Sequence, residues 1–180
     1  ASTDRNPSRV WLNDGRGRFA FRPLPRVAQA APGFGVALAD IDGDGLTDLC
    51  LIQNSFAPQR ETGRMDGGVG LLLLGRGDGS FEPVWPNRSG LMVPGDGKSL
   101  TTADWNGDGW LDFLIGVNHS ELLAFENRGS KANRTLTVRL QGKPANPTAV
   151  GARVTVVLGG EARQTAEVYA GGGYLSQSGS

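Results

Sequence analysis

Apolar residues in this chain fall in short runs, and Gly, Pro, Asn or Asp interrupts each of them. "DLCLIQ" (48–53), "VGLLLL" (69–74), "SFEPV" (80–84) and "SLTTAD" (99–104) are rich in β-formers and bounded by turn residues, which predicts four strands in succession. "VWLNDGRGRFAFRPL", from Val10, reads as a strand, a Gly-rich turn, and an aromatic residue opening a second strand. No segment of about ten residues or more carries the 3.6-residue period of an amphipathic helix. From about residue 131 the texture changes. "TLTVRLQG" (135–142) and the stretch from Gly151 alternate apolar and polar residues strictly. Val154, Val156 and Leu158 fall on one face, and Val168 and Tyr169 follow the turn "GGEA", which predicts a β-hairpin with one wet face.

The pattern repeats. "DIDGDGLTDL" begins at Asp40 and "DWNGDGWLDF" begins 64 residues later at Asp104. "LLLLGRGDGSFEPV", from Leu71, repeats the design of the Val10 segment, and Phe19 and Phe81 match 62 residues apart. "LLAFENRG" (122–129) is a worn third copy. Four short antiparallel strands per repeat fit the blade of a propeller, so the expected fold class is all-β.

The acidic segments raise a problem of charge. Asp40, Asp42, Asp44 and Asp48 occupy positions 1, 3, 5 and 9 of the first, and Asp104, Asn106, Asp108 and Asp112 the same positions of the second. Gly45 and Gly109 stand at position 6, where a tight turn needs a residue without Cβ. Position 7, Leu46 or Trp110, can offer a backbone carbonyl. Hard oxygen ligands at alternate positions around a glycine turn suit Ca²⁺. An EF-hand is excluded, because position 12 is Leu51 or Ile115 rather than Glu, and both flanks read as strands. The competing explanation is a solvated, Asx-rich hairpin without metal.

Composition narrows the function. Eighteen basic and 18 acidic residues cancel, which argues against nucleic acid or an anionic membrane surface as partner. Glycine is frequent at 28, yet 38% of the chain is hydrophobic, which indicates many turns around a real core. The one cysteine, Cys50, lies in the apolar run "LCLI" and reads as a core residue. The longest aliphatic run, "LLLL" at 71–74, is too short for membrane insertion. The first residues, "ASTDRNPSR", lack the apolar core of a signal peptide, so any export signal is expected to lie outside this sequence.

"GFGVALADIDGDGLTDL", "SLTTADWNGDGWLDFLIG" and the hairpin "NDGRGRF" resemble the FG-GAP/VCBS repeat, the blade unit of integrin-α-like β-propellers. The resemblance implies Ca²⁺ ligands at Asp40, Asp42, Asp44 and Asp48, then at Asp104, Asn106, Asp108 and Asp112. Asn106 departs by one lost charge. "AVGARVTV" and "GGGYLSQS" resemble the ASPIC/UnbV domain, which follows FG-GAP repeats in cartilage acidic protein-like proteins; this likeness spans Arg134 to Ser178. The expected organisation is therefore 1–130 as one full repeat with partial flanking blades, then 131–180 as a truncated ASPIC/UnbV-like β domain. One full repeat does not close a ring, so the sequence is expected to be a piece of a longer protein.

Other candidates weigh less. Ser176 and Gln177 have no partner constellation, and the single histidine, His119, reads as solvated. Gly171 to Gly173 precede no helix and no Lys, unlike a phosphate loop. Arg76, Gly77 and Asp78 spell an integrin-recognition tripeptide, but the same place in the earlier repeat is a blade turn, and that reading is preferred. Sequons stand at Asn87, Asn118 and Asn133. The expected function is a non-catalytic, calcium-binding module for binding or adhesion, outside the cytoplasm in extracellular or periplasmic space, whose partner is a protein or glycan. The alternatives are a purely structural calcium-stabilised segment and part of a propeller hydrolase.

Overall fold

The protein is described by a computed structural model covering residues 8–55, 67–157 and 163–171. Eleven strands form four antiparallel sheets among these residues. β1 (Arg9–Asn13) pairs with β2 (Phe19–Pro23). β3 (Gly33–Ala39), β4 (Asp48–Gln53), β5 (Leu71–Gly75) and β6 (Phe81–Val84) make a four-stranded meander. β7 (Gly97–Ala103), β8 (Asp112–Val117) and β9 (Leu123–Phe125) make a three-stranded one. β10 (Arg153–Val157) and β11 (Arg163–Glu167) form the hairpin of the tail. Among the described residues, helical structure is limited to one 3₁₀ turn, Arg26–Gln29, and the single-turn α1, Pro86–Ser89.

The sequence period is a structural period. Ala39 pairs with Asp48 across β3–β4, and Ala103 with Asp112 across β7–β8. Bulges fall at Gly33/Gly35 and at Gly97/Ser99, again 64 residues apart. Leu71 and Leu73 of β5 pair with Leu51 and Leu49, as Leu123 and Phe125 of β9 pair with Ile115 and Phe113. The worn third copy is thus the third strand of the second blade.

All six residues of β4 are buried, which is why "DLCLIQ" has no alternation. Leu49 and Leu51 face a core with Leu24, Ala28, Leu71 and Leu73. Cys50 and Ile52 face the opposite way, into a core with Ile41, Val93, Leu100, Phe113 and Ile115. The central blade is therefore packed on both faces. Close approach of β3 to β7 needs Gly35, where a Cβ would fall 2.9 Å from Leu100 Cβ. At the strand ends away from the acidic loops, Lys98 Nζ lies 2.6 Å from Asp96, donates to Asn54 O at 2.8 Å, and sits over the Phe34 ring.

The tail departs from the alternation. Residues 135–142 form no strand, and Leu136, Val138 and Leu140 are exposed. Alternation allows one face to be buried, but a strand also needs a neighbour for its backbone groups, and among the described residues none pairs with this segment. β10 and β11 confirm the hairpin, with Val154 and Val156 half-buried on its inner face. Leu158, the turn at 159–162, Gly172, Gly173, Ser176 and Gln177 lie outside the described residues.

Candidate metal centre

Each acidic loop joins the first two strands of a blade, so its ends are fixed by the Ala39–Asp48 and Ala103–Asp112 pairs. The position-9 carboxylates at these ends are fully buried. Asp48 accepts the Ile41 N–H on Oδ2 at 2.8 Å and the Gly75 N–H on Oδ1 at 2.9 Å. Asp112 accepts from Trp105 N–H at 3.3 Å and from Asn127 N–H at 2.8 Å. Each thus fastens the start of its loop to the third strand of its blade or the residues just after it.

Within the first loop, side-chain oxygens organise the backbone. Asp42 Oδ1 accepts the Asp44 N–H at 3.1 Å, and Asp44 Oδ1 accepts the Leu46 N–H at 2.8 Å. Gly43 and Gly45 take φ of 72° and 92°, conformations that favour glycine. Among the described residues, Asp40, Asp42 and Asp48 are the acidic trio whose ligand oxygens all lie within 4.8 Å of one another. Asp44 lies exposed beside them. Asp40 Oδ2 accepts two N–H groups, from Gly45 at 3.0 Å and from Gln164 at 2.6 Å. Its Oδ1 is buried with no hydrogen-bond partner among the described residues.

The electrostatics agree. Burial holds the Asp42 carboxyl above its ordinary value, and the charges of Asp44 and Asp40 push the same way. Burial likewise raises Asp48 despite its two amide donors, and Asp42 and Asp44 add repulsion. An oxygen-only cluster with an orphaned buried acceptor fits a hard divalent cation, with Asp40, Asp42 and Asp48 as its side-chain holders.

The second loop is built differently. Asp104 Oδ1 accepts from Gly107 and Asp108, and Oδ2 from Gly109. Asn106 uses its amide to donate to Asp108 Oδ2 at 3.0 Å while accepting the Asp108 N–H. Asp108 also accepts the Trp110 N–H at 2.9 Å. Asp104, Asp108 and Asp112 are not drawn together as the first trio is.

The Trp110 ring packs over Gly43 and Gly129; a Cβ at Gly43 would fall 2.9 Å from its Cη2. Asn127 Nδ2 donates to Ile41 O at 2.9 Å and to Leu111 O at 3.3 Å, stitching the two loops together. Asn133 Nδ2 donates to Asp42 O at 2.9 Å. Sequence spacing pointed to none of Asn127, Asn133 or Gln164, because their partners lie 86, 91 and 124 residues away.

The remaining candidates have settled positions. Arg76 to Asp78 form the β5–β6 turn, where Asp78 Oδ1 accepts from Ser80 N–H and Oγ–H, contacts that hold its carboxyl below the ordinary value. Arg76 pairs with Glu82. The β1–β2 turn has the same design, with Asp14 Oδ1 accepting from Arg16 and Arg18. His119 is exposed, and Cys50 is fully buried with its thiol pushed up to about 12. No helix of the described residues is long and apolar enough to cross a membrane.

Residues 1–51 and 62–115 match the FG-GAP-like repeat family. The chain belongs to that family. Residues 142–180 match the ASPIC and UnbV family. Integrin alpha-PS2 of Drosophila melanogaster is 37% identical over an alignment of 91 residues that covers 47% of this chain. The chain spans only 6% of the length of that relative.

Proposed function

We propose that this FG-GAP-like chain is a non-catalytic binding or adhesion module whose first acidic loop is held together by Ca²⁺. The observation that carries the reading is the buried, unpartnered Oδ1 of Asp40 within the Asp40–Asp42–Asp48 trio. Burying ionised carboxylates side by side is costly unless a cation compensates. Asp44 and the Leu46 carbonyl complete the proposed ligand set. Asp104, Asn106, Asp108, Asp112 and the Trp110 carbonyl form a weaker second site. The cation supplies charge neutralisation and rigidity, and this chain's residues supply the pocket. Sites of this kind suit compartments rich in calcium, which supports an extracellular or periplasmic location. The proposed partner is a protein or glycan, with no role for Arg76–Gly77–Asp78 in integrin recognition. The likeness to an integrin α chain supports adhesion as the class of function.

Calorimetric titration of chelator-treated protein with Ca²⁺ tests the reading. Two binding events are expected, and the tighter one is lost in Asp40→Ala combined with Asp42→Ala. No heat above the buffer blank, or a tighter site that survives the double substitution, refutes it.

A further inference from the structure

The contact between Gln164 and Asp40 joins the tail hairpin to the first acidic loop across 124 residues of sequence. We propose that Gln164 is a positioning residue for the cation site, so that docking of the β10–β11 hairpin and Ca²⁺ binding at the first loop strengthen each other. The inference rests on the calcium reading above.

The geometry assigns the two oxygens of Asp40 different duties. Oδ2 is held from inside the loop by Gly45 N–H and from outside by Gln164 Nε2. This fixes the carboxylate plane and leaves Oδ1, buried and unpaired, for the cation. A ligand oriented before binding loses less side-chain freedom when the cation arrives. The donor's chemistry matters too. A glutamine amide holds the carboxylate without neutralising it, whereas Lys or Arg at this place would compete with the cation for the same charge. A second tie, from Asn133 Nδ2 to Asp42 O, reaches the loop from the same side of the sequence. Asp104, the matching residue of the second loop, takes its donors from its own loop. Among the described residues, then, the tail holds the position-1 carboxylate of the first loop and not that of the second.

Linkage makes the coupling reciprocal: whatever the hairpin adds to calcium affinity, calcium adds to hairpin docking. Gln164→Met keeps the length of the side chain and removes its amide. Thr165→Val is the control: it removes a different contact of the hairpin, the Thr155–Thr165 hydroxyl pair at 3.1 Å, and leaves the tie to Asp40 in place. Calcium titration and hydrogen exchange over Arg153–Glu167, with Ca²⁺ or with chelator, read both sides of the coupling. In the native chain and in Thr165→Val, calcium should slow exchange of the hairpin. In Gln164→Met that difference should vanish, and the tighter site should weaken about tenfold. Asp40→Ala leaves the hairpin sequence untouched. In chelator it should speed hairpin exchange about fivefold or more, which guards against a local folding defect in Gln164→Met. Unchanged affinity with calcium-dependent protection intact in Gln164→Met overturns the inference while the calcium site stands. A native chain that binds no Ca²⁺ overturns the calcium reading and this coupling with it.

Discussion

Replacing Asp48 with alanine separates the structural work of the acidic loop from its work as a ligand. Asp48 is fully buried, and its two oxygens are the acceptors for Ile41 N–H at 2.8 Å and Gly75 N–H at 2.9 Å. Alanine leaves both amides pointing at a cavity. An unsatisfied buried donor costs about 1–3 kcal/mol, so two cost about 2–6 kcal/mol. Part is returned, because the substitution also removes a carboxylate that is desolvated and repelled by Asp42 and Asp44. The expected net loss is about 2–4 kcal/mol, a large part of the ~5–15 kcal/mol that holds a domain folded. It should appear in chelator, with no cation present. Asp44→Ala is the control: its side chain is exposed, and it accepts one loop N–H, from Leu46. Its cost in chelator should stay near 0.5 kcal/mol, roughly the level of an ordinary surface change. Asp112→Ala should fall between them, since its contact to Trp105 N–H is long at 3.3 Å. Urea unfolding followed by tryptophan fluorescence measures all three. A cost for Asp48→Ala no larger than that for Asp44→Ala would show that the two amides find other acceptors and that the clamp is not a clamp.

Calcium at a hundredfold excess over its dissociation constant should add about 2.7 kcal/mol per site, which in a chain of this size raises Tm by roughly 5–11 °C. Magnesium should restore little of that, and identical melts in chelator, calcium and magnesium would contradict the metal reading. The raised carboxyls of Asp42 and Asp48 set a pH dependence. In metal-free protein their contribution is present below their ordinary value of about 3.8 and is lost as pH rises through the higher folded value. Calcium favours the ionised form, so the Tm gap between calcium and chelator should widen from about pH 4 to pH 7, and a constant gap would refute the assignment. Asp78→Glu should leave cell adhesion to immobilised protein unchanged, whereas a loss competed by an Arg-Gly-Asp peptide would make that turn a recognition site.

The sheets were legible because burial on both faces leaves a mark in the chain. β4 reads as a continuous apolar run, and its alternate residues turn out to serve two different cores. The period of 64 was readable because the bulges and the Ala–Asp pairs recur at the same offset. The helix α1 was invisible to any search for periodicity. One turn, begun by Pro86 and ended by Gly90 at φ 73°, is too short to show a period. Residues 135–142 misled in the other direction: their alternation is strict, yet a strand is made by its neighbour as much as by its own residues.

The two acidic loops show where ligand spacing stops carrying information. Both present side-chain oxygens at the same four positions, and both close around a glycine at position 6. Only the first gathers three carboxylates with an acceptor to spare. The substitution of Asn106 for Asp42 explains part of the difference, since an amide can donate to Asp108 where a carboxylate could only repel it. The rest lies outside the motif. Asp104 spends both oxygens on amides of its own loop, while Asp40 has one oxygen held by Gly45 and by a glutamine far along the chain. Spacing decides which side chains can reach a cation, and tertiary contacts decide which are held ready for it. A repeat can therefore copy a ligand pattern faithfully and still leave two loops unequally prepared for a cation, because the neighbours that orient each copy are not repeated with it.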